Sequence, residues 1–67
     1  MANEEIYVDL KMRGDWVTTT YRTRIMRDWL NERNITFSEH RLSMLDYPHG
    51  MVMKSEDATA FKLKFGL

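Results

Sequence analysis

The chain has 67 residues, no cysteine, and ten basic residues that balance ten acidic ones. This length suits a single domain over residues 1–67, and so small a domain buries only about 60% of the surface of its unfolded chain. Without cysteine the chain can form no disulfide and no thiolate metal site. Because the net charge is zero, neither nucleic acid nor an anionic membrane is the expected partner. No apolar run approaches the roughly 20 residues that span a bilayer, so we expect no membrane partner. The absence of cysteine and the acidic start Met1-Ala2-Asn3-Glu4-Glu5, which does not resemble an export signal, predict a cytoplasmic protein.

The first element is marked by apolar residues at every second position. These residues are Ile6, Val8, Leu10 and Met12. Alternation with polar neighbours predicts a strand from Ile6 to Met12 that has one buried and one solvated face. The sequence Arg13-Gly14-Asp15 then ends the strand.

A helix is predicted from about Trp16 to about Arg33, with Asp15 as its N-cap and Asn34 at its end. Apolar residues at every fourth position predict its buried stripe, which consists of Val17, Tyr21, Ile25 and Trp29, widened by Met26 and Leu30. The opposite, solvated face is expected to hold Thr20, Arg24, Arg27 and Asn31.

The middle of the chain predicts a second strand and a hairpin. Ile35 and Phe37 begin the strand, while the polar run 38–41 is compatible with a bulge, a loop or an exposed edge. Leu42–Leu45 and Met51–Lys54 have the length of hairpin arms. Between them, Tyr47-Pro48-His49-Gly50 has the residue types of a tight turn.

The last element is predicted to be a helix capped by Ser55. Acidic residues follow in its first turn and lysines in its last turn, as the helix dipole favours. Its apolar face is formed by Ala58, Phe61 and Phe65, with Leu63 nearby. Gly66 is expected to end the helix in a left-handed conformation, so that Leu67 folds back onto it.

The order strand, helix, strand, strand, helix predicts an α+β fold in which the third strand is central and both helices cover one face. This is a ferredoxin-like arrangement without its fourth strand. The missing strand would leave the outer edge of the first strand open, which predicts a homodimer or pairing with another protein's strand through Tyr7, Asp9 and Lys11. The alternative is that the charges of Asp9 and Lys11 keep the edge unpaired. Either Met51 and Met53 or Val52 must face away from the helices.

No catalytic or metal site is predicted. The serines and threonines lack a paired base at a recognisable spacing, and no glycine-rich phosphate loop is present. His40 and His49, with Glu39 and Asp46 nearby, have the residue types of a metal site, but about 25 Å would separate the two histidines along a straight strand. We therefore expect neither an enzyme nor a bound cofactor or metal.

A second candidate function is nucleic-acid binding by the first helix. Arg22, Arg24 and Arg27 could contact phosphates, and Trp16 could stack on a base. The ordinary interpretation is a solvated helical face on which Asp28 and Glu32 compensate part of the arginine charge.

The closing run Lys54-Ser55-Glu56-Asp57-Ala58-Thr59-Ala60-Phe61-Lys62-Leu63-Lys64-Phe65-Gly66 resembles the C-terminal end of small uncharacterised proteins of tailed phages. In those proteins a strand leads into an acidic cap, an alanine and a Phe-Lys-Leu-x-Phe-Gly-like finish. The resemblance implies a viral accessory protein that binds a host or viral protein in the bacterial cytoplasm. We therefore expect a protein-interaction module, with nucleic-acid binding as the alternative.

Overall fold

A computed structural model describes residues 4–42 and 47–67 of the chain. Its helices and strands are β1 (Glu5–Asp9), α1 (Trp16–Glu32), β2 (Phe37–His40), β3 (Gly50–Lys54) and α2 (Ser55–Phe65). This order confirms the predicted β-α-β-β-α sequence of elements.

The three strands form one sheet in the order β1-β3-β2, and both outer strands run antiparallel to β3. In the register, Tyr7 lies opposite Val52, which in turn lies opposite Ser38. Both helices share one hydrophobic core with the sheet, formed by Val8, Leu10, Met26, Leu30, Met51, Met53, Ala58 and Phe61. The central third strand and the α+β fold, with both helices on one face, are therefore as predicted.

The side chains of β3 divide cleanly between the two faces of the sheet. Met51 and Met53 are fully buried in the core, whereas Val52 faces the other side and is half-buried. The helices are joined by rings, since Trp29 of α1 lies 6.0 Å from Phe61 and 5.9 Å from Phe65 of α2 between ring centroids. Met51 and Met53 belong to the same core cluster as these rings, as suits flexible thioethers that fill irregular cores.

Strand β1 is shorter than the alternation predicts. The strand ends at Asp9 because Lys11 adopts a left-handed conformation (φ 50°) and donates its amide to the Asp9 carboxylate at 2.9 Å. Leu10 is nevertheless buried, and Met12 packs against the core. The period-two pattern therefore identified the buried side chains correctly, while the extension of the strand to Met12 was wrong.

Both predicted ends of α1 are confirmed. The Asp15 carboxylate accepts a hydrogen bond from the Thr18 amide at 2.8 Å, and this bond lowers the pKa of Asp15. At the other end, Asn34 is left-handed (φ 57°) and the Ile35 amide donates to the Leu30 carbonyl at 3.0 Å. That bond is the one that closes a Schellman motif, for which asparagine is the usual substitute for glycine.

The predicted buried stripe of α1 is wrong for most of its length. The residues of α1 that are buried in the structure are Thr19, Thr23, Met26 and Leu30. Val17 and Tyr21 are 65% and 66% exposed, and Ile25 is 39% exposed. Only the C-terminal part of the predicted stripe packs, through Trp29, Met26 and Leu30.

Hydrogen bonding explains how threonines come to occupy the buried face of α1. The Thr23 hydroxyl donates to the Thr19 carbonyl at 2.7 Å, and the Thr19 hydroxyl donates to the Asp15 carbonyl at 3.0 Å. A hydroxyl satisfied within its own helix can be buried without the cost of an unpaired polar group. Hydrophobicity alone therefore does not identify the inward face of this helix.

The chain between β2 and β3 differs from the predicted hairpin. The second strand is Phe37–His40, which selects the exposed-edge alternative for the polar residues, and Leu42 lies outside any strand. The rest of the predicted arm, residues 43–45, lies outside the described residues. Because Gly50 lies opposite His40 and Met51 lies opposite Glu39, residues 47–50 do not join two adjacent hairpin arms, and the tight turn predicted there was wrong.

Helix α2 begins without the predicted serine cap. Ser55 is its first residue, and the Ser55 amide donates to the Glu4 carbonyl at 2.8 Å, while no side chain caps the helix. The C-terminal prediction is confirmed, because Gly66 is left-handed (φ 69°) and the Leu67 amide donates to the Lys62 carbonyl at 3.0 Å. Leu67 packs against the core as expected.

Leu63 does not join the buried face of α2. Its side chain is 81% exposed, whereas Ala58 and Phe61 are fully buried. The expectation that Leu63 lies near the apolar face was therefore wrong.

Candidate functional site

The outer edge of β1 carries backbone groups that no described strand pairs with. On its inner side, the Leu10 amide donates to the His49 carbonyl and the Ser55 amide donates to the Glu4 carbonyl. Alternate residues of an antiparallel strand direct their backbone groups towards the same neighbour. The even-numbered residues of β1 therefore face β3, and Glu5, Tyr7 and Asp9 direct their amides and carbonyls outwards. We call these three residues the β1 edge.

The side chains of the β1 edge lie on the face of the sheet opposite the core. Their companions on this open sheet face are Ser38 and His40 of β2 and Gly50 and Val52 of β3. Glu5 and Asp9 are exposed, and Tyr7 is 46% exposed. Both helices pack on the other side of the sheet, so no described helix covers this face. An accessible aromatic ring, that of Tyr7, therefore lies next to the outward backbone groups of the β1 edge.

The Tyr7 ring leans across the sheet over Gly50. Its centroid lies 5.8 Å from that of His40 in an edge-on arrangement and 6.1 Å from that of His49. A side chain at position 50 would place its Cβ within the Tyr7 ring, so glycine is what allows the ring to reach β2. We call Tyr7, His40 and His49 the aromatic patch. Partial desolvation and the Asp9 carboxylate raise the pKa of Tyr7.

The structure corrects the predicted separation of the histidines. The His49 amide donates to the His40 carbonyl at 2.9 Å, and both rings contact Tyr7. The straight-strand estimate failed because the chain doubles back after β2. Across residues 4–42 and 47–67, however, no group of three or more histidine, aspartate or glutamate side chains is placed to hold a metal ion.

The arginines of α1 do not form one face. Arg22 is half-buried and Arg24 is exposed, and a helical rotation of about 100° per residue places them about 160° apart. Arg27 is engaged within the domain, since its Nη2 donates to Glu39 Oε1 at 2.7 Å and its Nε donates to Glu39 Oε2. The nucleic-acid alternative therefore has less support than the β1 edge, although Trp16 remains 63% exposed.

The ion pair of Glu39 with Arg27 predicts a pH dependence of folding. The hydrogen bond from Arg27 lowers the pKa of Glu39, and Arg41 adds to this effect. A carboxyl group whose pKa is lower in the folded state stabilises that state above its unfolded pKa and loses the contribution as pH falls through its folded pKa. As the pH falls below 5, we expect the free energy of unfolding of Glu39→Gln to decrease less than that of the unaltered protein.

Urea denaturation at several pH values checks this expectation. Because Arg27 is 38% exposed, the contribution is at most about 1 kcal/mol after solvent screening. Glu56→Gln, an exposed carboxyl in the first turn of α2, provides the matched control. Equal acid sensitivity of Glu39→Gln and the unaltered protein would contradict the role assigned to the pair.

The sequence identified part of this site. Tyr7 and Asp9 lie on the β1 edge as predicted, whereas Lys11 lies beyond the strand. Glu5, His40 and His49 were missed as members of the site. The sequence held no signal for the two histidines, because their contact with Tyr7 depends on the register that places Gly50 beneath its ring.

The described helices include none with the length and apolar character needed to cross a membrane. No protein-family model matches the chain, and neither a curated protein nor a solved structure matches it.

Proposed function

We propose that this protein is a non-enzymatic interaction module that binds an extended segment of another protein as an additional strand at the β1 edge. The observation that carries the proposal is the outward orientation of the backbone groups of Glu5, Tyr7 and Asp9, deduced from the inward hydrogen bonds of Glu4 and Leu10. Strand addition of this kind derives affinity from main-chain hydrogen bonds and specificity from alternate side chains.

The charges of the β1 edge indicate the chemistry of the partner strand. Glu5 and Asp9 lie two residues to either side of Tyr7, on the same face of the sheet. Opposite charges on facing residues of neighbouring strands contribute about 0.2–1 kcal/mol per pair. The favoured partner therefore has two basic residues four positions apart, with an apolar or aromatic residue midway between them to contact Tyr7.

Self-pairing through β1 is disfavoured by the same charges. If two copies paired antiparallel with Tyr7 on the two-fold axis, Glu5 of each copy would face Asp9 of the other. Like charges placed directly opposite destabilise a strand pair. The proposal therefore assigns the β1 edge to a different protein and not to a second copy.

The biological setting is part of the proposal. The resemblance of residues 54–66 to the ends of tailed-phage proteins supports a phage-encoded accessory protein, and the absence of cysteine suits a reducing cytoplasm. In that setting the partner is a host or viral protein of the bacterial cytoplasm.

Two experiments test the proposal. The first selects binding peptides from a displayed random library, and the second measures the affinity of the selected peptides for a proline and an alanine variant of Asp9. Asp9→Pro removes an outward amide but no bond to β3, whereas Asp9→Ala removes the same carboxylate and keeps the amide. We expect selected peptides to carry the basic, apolar, basic pattern, and Asp9→Pro to bind them at least about tenfold more weakly than Asp9→Ala. Circular dichroism verifies that both variants are folded.

Two results would contradict strand addition. One is a set of selected peptides without basic residues at that spacing. The other is equal affinity of the proline and alanine variants, which would show that the outward amide of residue 9 takes no part in binding.

A further inference from the structure

The outward face of α1 carries an apolar stripe. Val17, Tyr21 and Ile25 recur at every fourth position on the side of the helix away from its buried threonines, and their exposures are 65%, 66% and 39%. We call these three residues the outer stripe. The largest apolar patch on a typical monomer, about 300–600 Å², often serves an interaction. Since the stripe points away from the sheet, it is a surface distinct from the β1 edge.

Three exposed charges border the outer stripe: Arg24, which lies within about 20° of Val17 around the helix, and two acidic residues whose positions are opposed to the dipole of α1. Asp28 and Glu32 are exposed and follow Tyr21 by seven and eleven residues, which places them within about 20° of it around the helix. The first turn of α1 contains no acidic residue and the last turn contains no basic residue. Acidic groups near a helix C-terminus are unfavourable, and they become favourable beside the N-terminus of another helix.

We propose that the outer stripe binds a second copy of this chain, with the two α1 helices antiparallel and Tyr21 at the two-fold axis. In this arrangement Val17 of each copy faces Ile25 of the other, so that the apolar contacts are mutual. The acidic residues Asp28 and Glu32 of each copy lie beside the N-terminal end of the partner's helix, where Arg13 is exposed and the Asp15 carboxylate caps the first turn. A parallel arrangement would instead bring the acidic ends together.

The dimer would present two β1 edges. Both stripes are covered by the helix pair, whereas each β1 edge lies on the sheet and remains accessible. A partner with two basic strand segments would then be bound with the gain in affinity that linked sites provide.

Cysteine crosslinking tests the antiparallel pairing, because the chain has no cysteine of its own. Positions 17 and 25 are separated by eight residues, or about 12 Å along the helix. A mixture of Val17→Cys and Ile25→Cys chains, one enlarged by a tag, is expected to form a disulfide-linked heterodimer under mild oxidation. Each variant alone is expected to crosslink at least about tenfold less, and Leu63→Cys, exposed on α2, sets the background.

Sedimentation equilibrium supplies an independent readout. The unaltered protein is expected to dimerise, Tyr21→Glu to raise the dissociation constant at least about tenfold, and Leu63→Glu to leave it unchanged. A monomeric unaltered protein would overturn the proposal and assign the outer stripe to a different partner. Crosslinking of the single variants as efficient as that of the mixture would also overturn it, because the helices would then not be antiparallel.

Discussion

Replacing Phe61 by alanine is expected to cost about 3–5 kcal/mol of folding free energy, the range measured for large aromatic truncations in cores. Phe61 is fully buried, and its ring centroid lies 6.0 Å from that of Trp29 and 5.0 Å from that of Phe65. It therefore connects α2 to α1 and to the methionines of β3. Small domains have few compensating contacts, so the variant is expected to be largely unfolded at moderate temperature.

Urea denaturation followed by circular dichroism measures the effect of Phe61→Ala. Leu63→Ala is the matched control on the same helix, because Leu63 is 81% exposed and its truncation should cost less than about 0.5 kcal/mol. Similar losses in the two variants would mean that α2 does not pack on the sheet through the face described.

The second large effect is expected at Leu30, whose replacement by alanine should cost about 2–5 kcal/mol. Leu30 is fully buried between α1 and the sheet, and its carbonyl accepts the Ile35 amide at the end of the helix. The alanine keeps this backbone bond, so the loss comes from side-chain packing alone.

Ile25→Ala is the control for Leu30→Ala on the same helix. Ile25 is 39% exposed on the outer stripe, so we expect a loss of less than about 1 kcal/mol in the folding of the isolated chain. Thermal unfolding at low protein concentration, where dimerisation contributes least, compares the two. A larger loss for Ile25→Ala would show that α1 packs through the stripe that hydrophobic periodicity predicts.

Local chemistry made much of the fold predictable. The helix ends depend on single residues with distinct backbone preferences, namely Asp15, Asn34 and Gly66, and the structure confirms all three. The central position of β3 is the simplest arrangement for this order of elements, in which a helix connects the first two strands and the third pairs with both.

The rotation of α1 could not be predicted from hydrophobicity. Thr19 and Thr23 bury their hydroxyls by donating to carbonyls of their own helix, and this leaves Val17 and Tyr21 outside. A periodicity argument treats threonine as polar and therefore selects the wrong face. The apolar residues of the outer stripe are not part of the core, so they are available for an interaction with another chain.

The β1 edge was predictable because it follows from topology, but the aromatic patch was not. Tyr7 reaches His40 only because Gly50 lies beneath its ring in the β1-β3-β2 register. The sequence did not reveal that register, because hydrophobic pattern and turn residues predicted Leu42–Leu45 as the partner of β3, whereas Gly50 lies opposite His40. Arg27 was likewise expected to face solvent, whereas the structure pairs it with Glu39 of β2.

Amide hydrogen exchange along β1, measured by NMR, shows whether the outer side of this strand is unpaired. We expect the amides of Tyr7 and Asp9 to exchange at least about tenfold faster than those of Ile6 and Val8, which face β3. A peptide selected for the basic, apolar, basic pattern should slow the first pair and leave the second almost unchanged. Equally slow exchange of all four amides in the unbound protein would contradict strand addition at the β1 edge, because the outer side of β1 would then already be paired.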